Sequence, residues 1–164
     1  MARSDSVVEA RLRIDRTWRL IDDMATKTDF TEAEWDALEK GITGSGMLVS
    51  LADRDFTDSF GEAGAMAKYL QGQQVAGPSP LIRELTKTRG TGFGLGTSPD
   101  ELRDGTVAAL QSSVQTLTTK APDEIEGYRQ LVLGVAQAVA EAKGGGVASV
   151  ESSMLDEIRA ALGA

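Results

Sequence analysis

Every long periodic stretch of this chain brings its apolar residues back at a spacing near 3.6, and no stretch alternates apolar with polar residues in a β-branched background. That pattern selects α-helix over half-buried strand, so the sequence reads as all-α, a bundle of about seven helices. At 164 residues one domain is the default, long enough to bury a core without disulfides or metal. Aromatic residues are scarce and glycines number 18, so the core has to be small and aliphatic, which favours helices approaching closely.

The helix signals follow in order. Residues 4–27 carry Val7, Ile14, Trp18, Ile21 and Ala25 on one stripe, the mark of an amphipathic N-terminal helix. Thr31 and Glu34 form a capping box that starts a second helix, and Trp35, Leu38, Ile42 and Val49 carry its buried stripe to about residue 53. Gly41, Gly44 and Gly46 lie inside it, each costing about 1 kcal/mol against alanine, and so mark a kink or a close helix crossing. A third helix is expected over about 60–73 and a fourth over about 79–88. The fifth starts at Ser98, with Pro99 at its first position and Glu101 closing the capping box. The sixth starts at Pro122 and buries Ile125, Tyr128, Val132, Val135 and Val139, and the last spans about 150–162. Residues 1–30 are read as the N-terminal amphipathic helix and 31–164 as the helical domain proper.

The chain has neither cysteine nor histidine, which removes thiol nucleophiles, Cys/His zinc sites and the Ser-His-Asp relay. Acid–base chemistry would fall to carboxylates, Lys or Tyr, and any metal site to oxygen ligands, hence to Ca²⁺, Mg²⁺ or Mn²⁺. The net charge is −8, and residues 31–164 hold the whole excess, with 11 basic against 19 acidic side chains. An acidic body repels nucleic acid and anionic membrane, so neither is expected as a partner. No run approaches the roughly 18 apolar residues of a membrane span, and residues 1–10 lack a signal-peptide core, so a cytoplasmic protein is expected.

Two motifs raise the question of a site. In "RGTGFGLGTSPDEL" Gly90, Gly92, Gly94 and Gly96 recur at every second position ahead of a helix start. Leu95 stands where a dinucleotide fingerprint needs glycine, no strand precedes, and no lysine follows to make a P-loop. A connector between helices is the favoured reading; the alternative is an anion site made by Arg83, Lys87 and Arg89 with the amides of the next helix. The second motif is the acidic turn Asp53, Asp55, Asp58 with Glu62 beyond it, raw material for a divalent-cation site. Its spacing departs from an EF-hand, since Asp58 replaces the glycine and Gly64 the closing glutamate. Capping of the third helix by Asp58 or Ser59 is the favoured alternative.

The stretches "MLVSLADRDFTDSFGEAGAMAKYL", "SPLIREL" and "KAPDEIEGYRQLVLGVAQAVAEAKGGGVASVESSMLDEIRAALG" resemble helical domains related to the TerB protein of bacterial tellurite-resistance operons, over about residues 31–163. The resemblance implies an all-helical fold with two similar helix-turn-helix halves and acids that bind metal. It places the first half's acids at Asp53 and Glu62, with Arg54 where the family has glycine. In the second half Lys143 stands where Asp is expected, with Glu141 before it and Glu151 in the following helix.

The function expected from these readings is a non-enzymatic intracellular binding or stress-associated protein with a weak divalent-cation site at Asp53, Asp55 and Glu62. The alternative is a divalent-cation-dependent carboxylate enzyme acting on an anionic or phosphorylated substrate. The Ile14, Trp18, Ile21 stripe packs on its own domain or, alternatively, pairs with a protein partner or a second copy.

Overall fold

The helical body begins at Thr31. Its hydroxyl accepts the Glu34 amide at 3.2 Å while the Glu34 carboxylate accepts the Thr31 amide at 2.7 Å, closing the expected capping box. The computed structural model describes residues 24–52, 59–90, 92–94, 96–142 and 149–164. Among them stand six α-helices and no strand: α1 (Glu32–Leu51), α2 (Ser59–Ala76), α3 (Pro80–Leu85), α4 (Pro99–Lys120), α5 (Ile125–Ala142) and α6 (Ser149–Leu162). The all-α bundle is therefore as the periodicity predicts, with six helices described rather than seven.

The expected seventh helix falls on residues 1–23, outside the described residues, and with it the Ile14, Trp18, Ile21 stripe. Its C-terminal bound is corrected: Met24, Ala25 and Thr26 are not helical, and Lys27–Asp29 form a single 3₁₀ turn. Thr26 caps that turn, donating its amide to the Asp29 carboxylate at 2.7 Å. Three other bounds move. α2 runs on to Ala76, because the stop is set by Gly77 and Pro78. α3 ends at Leu85, where the Thr86 hydroxyl turns back to the Arg83 carbonyl at 2.7 Å. Pro122 opens a 3₁₀ turn, Pro122–Glu124, and the α-helix follows from Ile125.

Helix α1 packs against α4 and α5, α2 lies on α5, and α6 closes against α4, α5 and α1. The buried stripe of α1 is Trp35, Leu38, Ile42 and Val49, as its periodicity predicts. Its glycines explain how three helices meet it. A Cβ at Gly41 would collide with the Tyr128 hydroxyl and lie 2.9 Å from Leu110, and one at Gly44 would collide with Thr106 of α4. At Gly46 it would lie 2.8 Å from Met66 of α2 and 3.1 Å from Val135 of α5. The helix is unbroken through all three, so they serve close crossing and not a break.

Close approach leaves hydroxyls in the core without water, and three of them turn back onto their own helix. Ser45 donates to Gly41 O, Thr106 to Leu102 O and Ser113 to Ala109 O, all at 2.7 Å. The C-terminal helix is tied down by Arg129 of α5, which donates to the Leu162 carbonyl at 3.0 Å and to that of Gly163 at 2.9 Å. Arg103 of α4 grips the Glu157 carboxylate of α6 at 2.8 and 3.0 Å. No helix of the described residues is long and apolar enough to cross a membrane.

Candidate functional site

Of the three acids read as cation ligands, Asp53 and Asp55 lie outside the described residues and Glu62 lies inside them. Glu62 is in the first turn of α2, only 7% exposed, and its carboxylate accepts the hydroxyl of Ser50 from the last turn of α1. A carboxylate this buried needs hydrogen bonds or cations around it, since desolvation opposes its charge. Glu62 stands in the first turn of α2, four residues after Asp58 in the sequence. Among the described residues no group of three or more acids is gathered tightly enough to hold a metal ion.

The three cations read as an anion site are placed as follows. Arg83 is half-buried on α3 and donates through Nη1 to the Gly77 carbonyl at 2.8 Å, closing the α2–α3 turn. Lys87 is exposed and pairs with Glu84 at 2.6 Å. Arg89 is exposed at the start of the glycine loop. Gly90, Gly92 and Gly96 of that loop take φ of +89°, +70° and +89°, values that only glycine adopts without strain. The loop ends in the capping box of α4, where Ser98 accepts the Glu101 amide at 3.2 Å and Glu101 accepts the Ser98 amide at 2.9 Å.

One concavity had no signal in the sequence. A cleft of about 1060 Å³ opens where α3, the end of α4 and the start of α5 converge, walled by Met24, Asp29, Ser79, Lys120, Glu124 and Gln130. Ser79 and Glu124 are both buried in its floor and hydrogen-bonded, the serine hydroxyl donating to the carboxylate. The same hydroxyl accepts the Ile82 amide at 3.1 Å as the N-cap of α3, so both of its roles are taken by structure. Lys120 is likewise engaged, donating to Glu34 at 2.6 Å and to the Asp29 carbonyl at 3.1 Å. The amide of Thr26 holds the Asp29 carboxyl below its usual range, with lesser help from the Thr26 hydroxyl and from Lys120. The lysine and the serine of this wall thus brace the fold, and Asp29 is held as the anion. The Ser79–Glu124 pair is 45 residues apart and joins the cap of α3 to the Pro122–Glu124 turn, a link that no periodicity can show.

Compared with models of known protein families, with curated proteins and with solved structures, the chain shows no match.

Proposed function

We propose that this protein is a non-enzymatic helical binding protein of the bacterial cytoplasm, stress-associated in its setting, with a weak divalent-cation site at the connection between α1 and α2. Asp53, Asp55 and Glu62 supply the oxygens. The observation that carries this reading is Glu62: a carboxylate kept almost fully buried at the head of α2, against Ser50, and following Asp53, Asp55 and Asp58 in the sequence. The resemblance to TerB-related domains points to two of these residues, Asp53 and Glu62. A binding role is preferred to the enzyme reading because Arg83 and Lys87, the cations an anionic substrate would need, are engaged by Gly77 and Glu84.

Calorimetric titration with CaCl₂ and MnCl₂ tests this. The wild type is expected to bind weakly, with a dissociation constant of about 10⁻⁴ to 10⁻³ M, because the loop lacks the glycine and bidentate glutamate of a tight site. An Asp53→Asn, Asp55→Asn double variant loses the heat, and Glu62→Gln weakens it, while the melting temperature without metal stays close to wild type. Heat that survives in the double variant, or no heat in the wild type, overturns the site.

A further inference from the structure

Four carboxylates, those of Asp29, Asp123, Glu124 and Glu126, wall the cleft of about 1060 Å³ between α3, α4 and α5, against one ammonium, that of Lys120. The lysine is turned to Glu34 at 2.6 Å, and among the described residues none of the four carboxylates is in an ion pair. Glu124 at the floor is 8% exposed, and its Oε2 accepts the Ser79 hydroxyl. Its Oε1 meets no hydrogen-bond donor among the described residues, yet it is not sealed in the core, because Trp35 Nε1 is the one fully buried side-chain nitrogen or oxygen left without a partner there. The second oxygen of a carboxylate otherwise taken out of water therefore opens onto the cleft, where a cation is the partner that offsets its desolvation. Between the acids the walls are apolar, made by Met24, Pro78, Ala121 and Pro122. Among the described residues no three acids gather tightly enough to hold a metal ion, so a single point charge cannot meet all four carboxylates. Positive charges spaced along a methylene chain can, with ammonium groups on the carboxylates and methylenes on proline and alanine.

We infer that the cleft binds a linear polyamine, an alkyl chain carrying two or more ammonium groups, with one ammonium donating to Glu124 Oε1 at the floor and another held at the rim by Asp123 and Glu126. Both rim acids are exposed, and the Gln130 amide steadies Glu126 at 3.1 Å. The site uses no residue of the Asp53, Asp55, Glu62 connection. It extends the binding role proposed above and does not rest on the divalent-cation site.

The test is calorimetric titration of the full-length chain with spermidine at fixed ionic strength, and the wild type is expected to give saturable heat. Glu124→Gln keeps an oxygen for the Ser79 hydroxyl but removes the charge, and is expected to weaken binding about ten-fold or more. The double variant Asp123→Asn, Glu126→Gln alters only exposed side chains, so it keeps the test open if Glu124→Gln fails to fold; it too is expected to bind about ten-fold more weakly. A second pair, Asp100→Asn, Asp104→Asn, removes the same charge from the exposed start of α4 and should leave the affinity within about two-fold of wild type, as should MgCl₂ added at the spermidine concentration. No saturable heat in the wild type, unchanged affinity in Asp123→Asn, Glu126→Gln, an equal loss in the α4 pair, or displacement by magnesium overturns the proposal. Asp53→Asn, Asp55→Asn is expected to bind spermidine as the wild type does, so either site can fail while the other stands; loss of the spermidine heat in that variant also overturns the cleft site.

Discussion

The hydroxyl of Tyr128 occupies the place that a side chain at residue 41 would take. It donates to the Leu38 carbonyl at 3.0 Å across the α1–α5 interface, and Gly41 is what lets it arrive there. Burial pushes the phenol well above its usual pKa and so favours the neutral, donating form, opposed in part by its hydrogen bond with Ser113. Gly41→Ala is expected to destabilise by about 2–4 kcal/mol, overpacking and a displaced hydrogen bond outweighing the gain in helix propensity. Tyr128→Phe alone should cost about 1 kcal/mol. Because the phenylalanine vacates the space that a methyl group at position 41 needs, the double variant should lose less than the sum. Urea denaturation of the four proteins measures the coupling; strict additivity would refute the shared space.

The same substitution has the opposite sign on α2. Space is open where a Cβ would be added at Gly64 and at Gly72, and both are helical with ordinary backbone angles. Gly64→Ala and Gly72→Ala should each stabilise by about 0.5–1 kcal/mol, raising the melting temperature by roughly 1–4 °C in a chain of this size. A fall in melting temperature on either change would show that this face is covered in solution.

Trp35 contributes a third contrast. Its ring is 5% exposed, tilted against Phe30 at a centroid distance of 6.1 Å, with the Lys27 ammonium 4.8 Å over its face. Among the described residues its Nε1 is the one buried side-chain nitrogen or oxygen without a hydrogen-bond partner. An orphaned donor costs about 1–3 kcal/mol, so removing it offsets the volume lost. Trp35→Phe should therefore stay within about 1 kcal/mol of wild type, whereas Trp35→Ala should lose about 3–5 kcal/mol. Comparable losses for both would mean that the indole N–H is satisfied in solution.

What is legible in the sequence is whatever is local. The Thr31–Glu34 and Ser98–Glu101 boxes stand as their spacing requires, because a cap depends on residues three apart. The buried stripes of α1 and α5 follow from a 3.6 period. The helix bounds at Ala76, Leu85 and Ile125 differ from those expected because punctuation by Gly, Pro and Thr acts anywhere within a turn of the residue that carries it. The site is less legible. Glu62 is found by its place after an acidic turn, but its burial depends on Ser50 twelve residues back. That Ser79 and Glu124 meet depends on how α3 lies on α5, and packing geometry has no period in the sequence.

The carboxylates of the caps contribute to the loss of stability in acid. The Lys120 ammonium and then the Thr31 amide hold the Glu34 carboxyl below its ordinary value of 4.5, and the Ser98 amide does the same for Glu101. Each folded pKa lies below the unfolded one, so the unfolded chain takes up protons first. Stability from these groups is complete above the ordinary carboxylate range and is lost as pH falls through the lower, folded values. The melting temperature should be flat above about pH 6 and fall below about pH 4.5, more steeply at low salt. Glu34→Gln and Lys120→Met should each flatten that fall; an unchanged acid limb would show that these caps do not set it.

Ser79 and Glu124 provide the sharpest test of the cleft floor. The serine caps α3 through the Ile82 amide and donates to a carboxylate that is 8% exposed, so one hydroxyl joins two elements. Ser79→Ala removes the cap, worth about 1 kcal/mol, and also strips a buried carboxylate of its donor, for a total of about 2–4 kcal/mol. Glu124→Gln keeps an oxygen to accept the hydroxyl and should cost less than Ser79→Ala. In a Glu124→Ala background the carboxylate is already gone, so Ser79→Ala should there cost only the cap. A denaturation cycle over Ser79→Ala and Glu124→Ala should thus give a coupling of about 1–3 kcal/mol. If the serine change costs the same in both backgrounds, its hydroxyl serves α3 alone, and the cleft floor is held by packing and not by this pair.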